Sequence, residues 1–257
     1  MRSCSRRRSR RISSTQPTTL LYLGQIYTPL VLACIVAWLR LEKGDHLVAG
    51  IMIGLLISMK PNFAVWPVLL FLAGHRMPSV VTIATAVVIA AVPLVIFGPG
   101  IHLDWLHLVA TDGGRAVFLT NASFAGLAAR ADLPAVGTAL AVALLLSLAA
   151  WAFFRRPPVI VVSEFALLAS LQASPLGWIH YTLFLLPVLL HHWQRPWTCV
   201  TAAVLVIPVP VILGYFGAPR LAQLGAGSVY AWALVLLLIG LIDAERERQS
   251  AAHAFLR

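Results

Sequence analysis

The chain is 257 residues long, 60% hydrophobic and 11% charged, with a mean hydropathy of +0.88 and a formal net charge of +10. A soluble globular domain carries about twice that charged fraction, so the composition excludes one and points to a polytopic membrane protein. Most Lys and Arg flank apolar runs, where the positive-inside bias places them, so the charge reads as topology and no nucleic-acid partner is expected.

Residues 1–19 form a basic arm with Arg2, Arg6, Arg7, Arg8, Arg10 and Arg11 among serines and threonines, and with no apolar run of signal-peptide length. The transmembrane domain is expected over residues 20–242, with residues 243–257 as a cytoplasmic tail. Its apolar segments begin at Leu20–Leu39, which ends at Arg40 to Asp45. Leu47–Met59 follows and is broken at Lys60-Pro61-Asn62, before Phe63–Ala73 and Val80–Phe97. A loop of mixed polarity is expected over residues 98–133. The remaining segments are Pro134–Phe154, Val159–Ala173, Ile179–Leu190, Thr198–Phe216 and Ser228–Ile242. The expectation is therefore an all-α, polytopic membrane helical bundle of about nine apolar segments, some short and paired around polar breaks. Cys4, Cys34 and Cys199 are far apart and no His, Cys or Asp group has metal-ligand spacing, so neither a disulfide framework nor a metal is expected.

With the connection at Arg40 placed in the cytoplasm, strict alternation puts Arg40, Lys43, Arg76, Arg155, Arg156, Arg195, Arg246, Arg248 and Arg257 inside. Only Lys60, Arg115, Arg130 and Arg220 fall outside, apart from the basic arm, which this orientation leaves on the wrong side. The same alternation brings the polar breaks at Gly24-Gln25, at Lys60-Pro61-Asn62, in the 98–133 loop and at Ser174–Tyr181 to the outer face. Leu47–Met59 is 13 residues, about 20 Å of helix against a hydrocarbon core of about 30 Å, so its break should lie below the surface. Short helices around a recessed polar pocket suit a membrane enzyme or a transporter.

Gly24-Gln25, then Ala49-Gly50 with Gly54 and Lys60-Pro61, then Asn121-Ala122-Ser123-Phe124-Ala125-Gly126 with Arg130, and finally Ser174-Pro175-Leu176-Gly177-Trp178-Ile179-His180-Tyr181 occur in this order. In that order and spacing the chain resembles the membrane mannosyltransferases of glycosyltransferase family 87. The resemblance implies a GT-C type fold in the cell membrane with a periplasmic or extracellular active-site face. It also implies a polyprenol-phosphate hexose donor, mannose by family, a lipid-linked or surface glycan acceptor, and no cofactor. Family members carry a catalytic acidic residue in a first outer loop ahead of the Gly-Gln span. Residues 1–23 contain no Asp or Glu, so the resemblance implies an N-terminally truncated sequence that lacks the general base.

The departing phosphate of such a donor needs a cation near the outer boundary, and Lys60, His180 and Arg130 are the candidates. Lys60 can equally snorkel to the interface, and His180 can be satisfied by a neighbouring helix. Gln25, Asn121, Ser123, Ser174, Trp178 and Tyr181 are the candidates for sugar or acceptor contacts; Asn121 and Ser123 also suit a helix start, and Trp178 and Tyr181 interfacial anchors. Asp104 and Asp112 are fallback bases, and Arg115 is a second loop arginine. Glu164, inside an apolar run, is either functional or paired with Arg155 or Arg156. A transporter or flippase for a lipid-linked sugar would use the same pocket without bond cleavage, and a non-catalytic membrane partner is the third reading.

Overall fold

The structure is a computed structural model; it describes residues 16–255, with side chains described for residues 27–107 and 114–251. The basic arm up to residue 15 lies outside the described residues, as do the side chains of Gln25 and Asp112. The architecture is all-α, as composition implied. Helix α1 (Gln16–Glu42) is followed by α2 (His46–Met59), a 3₁₀ turn (Pro61–Ala64), α3 (Val65–Leu72) and α4 (Arg76–Phe97). The 98–133 loop holds more helix than its polarity suggested: α5 (Gly100–Thr111), a 3₁₀ turn (Asp112–Val117) and α6 (Phe124–Arg130). Then come α7 (Pro134–Arg155), α8 (Val159–Gln172), a 3₁₀ turn (Ile179–Leu185) running into α9 (Leu186–His191), α10 (Pro196–Leu205), α11 (Val209–Leu213), α12 (Arg220–Leu224) and α13 (Val229–Phe255).

Two expectations about spans are corrected. Thr198–Phe216 is not one helix but two, because Pro208 has no N–H to donate and biases the residue before it out of the helical region. The carbonyl of Ile207 at this break accepts a hydrogen bond from the buried Tyr230 hydroxyl at 2.5 Å. The last helix does not stop at Ile242 but runs on to Phe255 through the charged residues. Among the described residues three stretches are long and apolar enough to cross a membrane: Arg76–Phe97, Pro134–Arg155 and Arg220–Ala251. Helices α2, α3, α8 and α9 are shorter, and they meet in pairs.

The first pair shows why. Gly50 lies against Val81 and Gly54 against Thr85, so α2 and α4 run parallel; a Cβ on either glycine would sit 2.7 Å from Val81 Cβ or 2.5 Å from Thr85 Cβ. Small residues four apart let the two backbones approach, and the Thr82 hydroxyl uses that approach to donate to the Gly50 carbonyl at 3.1 Å. Between them α3 runs back the other way, with the Ser79 hydroxyl donating to the Pro67 carbonyl at 2.7 Å. The chain therefore reverses at Lys60. Its arm α2 is 14 residues, about 21 Å, so the apex stops short of a full span.

The second pair reverses at residues 173–178. Its first arm, α8, is buried along its whole length from Val161 to Gln172, as befits a helix at the centre of a bundle. Trp66 donates to the Ser163 hydroxyl at 2.8 Å, Asn62 donates to the Ser170 carbonyl at 3.0 Å, and Phe63 meets Phe184 edge to face at 4.7 Å. These contacts hold the two apexes side by side. On the periphery α4 exposes Val87, Val88, Val95 and Phe97, apolar surface that suits lipid rather than water.

Candidate active site

Lys60 ends α2 and begins the 3₁₀ turn at the first apex. Its Nζ donates to the Tyr27 hydroxyl at 3.1 Å and to the Tyr181 hydroxyl at 3.0 Å. Both phenol rings also face the ammonium, with centroids 4.7 and 4.4 Å away. His180 completes the group: its ring meets Tyr27 at 4.4 Å and Tyr181 at 4.6 Å, each edge to face, and it is exposed. Three elements distant in sequence thus deliver a cation, two hydroxyls and an imidazole to one place. Among the described residues no carboxylate ion-pairs with Lys60. A lysine held at a membrane apex by neutral partners keeps its charge available to an anion, and each phenol oxygen that accepts from Nζ retains its own proton to donate.

A second cluster stands next to the first and holds the backbone. Asn121 is fully buried and makes five side-chain hydrogen bonds. Its Nδ2 donates to the carbonyls of Ala116 (3.0 Å) and Pro175 (3.1 Å), and its Oδ1 accepts from Ser123 N, Ser123 Oγ and Gly177 N. The Ala122 N–H donates to the Gly177 carbonyl at 2.7 Å and the Ile179 N–H to the Thr120 carbonyl at 2.9 Å, which pairs Asn121 with Trp178 in a single antiparallel bridge. Gly177 is required where it stands, since a Cβ there would lie 2.6 Å from the Leu171 carbonyl. Ser123 caps α6, accepting from the Gly126 N–H at 3.1 Å. The 98–133 loop is thereby pinned onto the turn that presents His180 and Tyr181.

Several sequence assignments change accordingly. Arg130 is 3% exposed; its Nε donates to the Ser228 hydroxyl at 2.7 Å and its Nη atoms to the carbonyls of Phe118 and Asn121 at 2.9–3.2 Å. Burial lowers its pKa to about 10, which leaves it charged at neutral pH, but its guanidinium faces carbonyls and not the Lys60 pocket. Arg130 thus clamps the loop, apart from the Lys60 group. Asn121 and Ser123 are too buried and too fully bonded to meet a sugar, so the helix-start reading stands for Ser123. Ser174 closes its own turn, donating to the Leu176 carbonyl at 3.2 Å. Trp178 packs toward Phe118, ring centroids 6.2 Å apart, on the loop side. Of the residues singled out in sequence, Lys60, His180 and Tyr181 come together. Tyr27 was missed, although it lies two residues beyond Gly24-Gln25, the break that marked this stretch. Asp104 is exposed on α5, which packs against α4 and the 112–117 turn.

Glu164 pairs with neither Arg155 nor Arg156. It lies near the other end of the same helices, where His192 Nε2 is 2.9 Å and Arg248 Nη2 3.6 Å from its Oε1.

The fold and this pocket define a polytopic helical membrane protein with a cationic, hydroxyl-rich site at the meeting of two broken helix pairs. The sequence model of glycosyltransferase family 87 matches residues 12–175, and the chain belongs to that family. The matched stretch takes in Tyr27, Lys60, Asn121 and Arg130 and stops inside the Ser174–Tyr181 turn. A curated relative from Mycolicibacterium smegmatis, named polyprenol-phosphate-mannose-dependent alpha-(1-2)-phosphatidylinositol mannoside mannosyltransferase, is 30% identical over 236 residues, covering 79% of this chain and 53% of the relative. The chain thus spans about half the length of the curated relative it matches. No solved structure matches it.

Proposed function

We propose that the chain carries the donor side of a membrane hexosyltransferase, with mannose the sugar and a polyprenol phosphate the carrier. The acceptor in this reading is a lipid-linked or surface glycan, and the pocket faces the outer side of the membrane. One observation carries the proposal: Lys60 is fixed between the hydroxyls of Tyr27 and Tyr181 at a recessed apex, with no carboxylate partner among the described residues. Membership of the family and the name of the relative support the donor class.

In such a transfer the bond from the sugar's anomeric carbon to the phosphate oxygen breaks while the acceptor oxygen bonds to that carbon. The electron pair of the broken bond goes to the phosphate, which leaves with an added negative charge. Lys60 offsets that charge, and the two phenol hydroxyls can donate to the phosphate's oxygens, so the interactions strengthen as the bond breaks. His180, exposed beside them, donates a third hydrogen bond or orients the acceptor. The acceptor's proton must go to a base. The pocket residues named here do not include a carboxylate, and Asp104 stands on a separate element.

Incubating purified protein in lipid discs with radiolabelled polyprenol-phosphate mannose and membrane-lipid acceptors tests the reading. Retention and transfer of label are expected to depend on Lys60. Retention without transfer would favour a carrier or binding function at the same pocket, and no retention would remove the proposal.

A further inference from the structure

At the end of the bundle away from Lys60, the adjacent His191 and His192 converge with Glu164, 28 residues before His192, as three potential metal ligands. Glu164 Oε1 lies 2.9 Å from His192 Nε2 and 3.6 Å from His191 Nε2, and the donor atoms of all three lie within 4.8 Å of one another. Donors bound to one tetrahedral zinc at about 2.0–2.2 Å stand about 3.3–3.5 Å apart, so the observed spacings bracket what one ion requires. Glu164 and His192 are buried, whereas His191 is 38% exposed in its side chain and borders a cavity of about 180 Å³ lined also by Trp38, Glu42 and Pro187. That cavity is an entry path.

A second feature repeats what metal-binding histidines have around them. The other ring nitrogen of His191, Nδ1, faces Glu42 Oε1 at 3.8 Å, and Glu42 is itself held by the Trp38 indole N–H at 2.8 Å. Glu42 thus stands behind the imidazole on the Nδ1 side, where carboxylates stand behind metal-binding histidines, and Nε2 faces Glu164. The ring of His192 is held in turn against Trp197, centroids 5.2 Å apart.

The cation now beside Glu164 is Arg248. It is weakly held: Nη2 is 3.6 Å from Glu164, Nη1 is 3.7 Å from Glu245, and Nη1 is buried with no hydrogen bond among the described residues. We infer that Glu164, His191 and His192 form a zinc-class divalent-cation site for which Arg248 is the resident competitor. An ion entering past His191 takes the Glu164 oxygen and the Nε2 lone pairs of both imidazoles, the Nε2 proton that His192 now donates to Glu164 shifting to its Nδ1, and the guanidinium moves wholly to Glu245. Binding would tie α8 to α9 and release the end of α13. The site shares no residue with the Lys60 pocket, so it stands or falls apart from the transferase reading.

Untagged protein, stripped with chelator and placed in lipid discs, is titrated calorimetrically with zinc chloride, and cobalt chloride is followed by visible absorption. The account predicts one zinc per chain, intense tetrahedral cobalt bands, at least a tenfold loss of affinity in His191→Ala and in His192→Ala, and a several-fold gain in Arg248→Gln. Melting curves confirm folding, and His191→Ala, at a half-exposed position, keeps the test open should His192→Ala unfold. No saturable uptake by the wild type, or uptake unchanged in His191→Ala, overturns the site. A loss of affinity in Arg248→Gln overturns the competition.

Discussion

Lys60 and Arg130 show how the same kind of charge can have opposite uses a short distance apart. Lys60 donates to two phenols whose own protons remain available, so its field reaches the pocket; Arg130 donates to carbonyls that end there, so its charge serves the loop. Tyr27→Phe and Tyr181→Phe should each weaken donor retention by a few-fold, since each removes one hydrogen bond worth about 1 kcal/mol while the ring remains. Retention of labelled donor by discs carrying each variant checks this. Asn121 belongs to the second kind. Asn121→Ala leaves the buried N–H groups of Ser123 and Gly177 and two carbonyls without partners, and should cost about 3 kcal/mol, read as a lower denaturation midpoint in detergent.

At the scale of elements, the parallel contact of α2 with α4 sets the position of the Lys60 apex. Gly54→Leu would drive a side chain into Thr85 and the Thr82 carbonyl, and the overpacking should cost about 1–3 kcal/mol, with a lower melting temperature and weaker donor retention together. Hydropathy showed the main apolar segments, and the breaks at Lys60-Pro61 and Ser174–Tyr181 proved to be the two apexes that meet. Proline and glycine announce an interruption locally, which is why these were legible. What sequence could not show was which breaks face each other. Lys60 joins Tyr27 across 33 residues and Tyr181 across 121, and His192 reaches Glu164 across 28. Arg130 looked like a loop arginine because polarity predicts solvent, whereas three carbonyl and hydroxyl partners could bury it. The division of Thr198–Phe216 was signalled by Pro208 and Pro210, and apolar content concealed it.

For the whole molecule, the proposed orientation makes a testable statement. It puts Gly44 on the cytoplasmic side and Gly217 outside. In a background with Cys4, Cys34 and Cys199 replaced by alanine, Gly217→Cys should react with a membrane-impermeant maleimide in intact cells, and Gly44→Cys only after permeabilisation. The reverse pattern would turn the pocket to the cytoplasm. The central claim is that the Lys60 apex receives the donor's phosphate, and competition for labelled polyprenol-phosphate mannose tests it most directly. Unlabelled polyprenol phosphate should displace the label from wild-type discs while the free polyprenol should not. Lys60→Ala should weaken retention about 10- to 100-fold, the range for losing a charged hydrogen-bond donor to an anion. Displacement by the free alcohol as well as by the phosphate, or retention unchanged in Lys60→Ala, would contradict it.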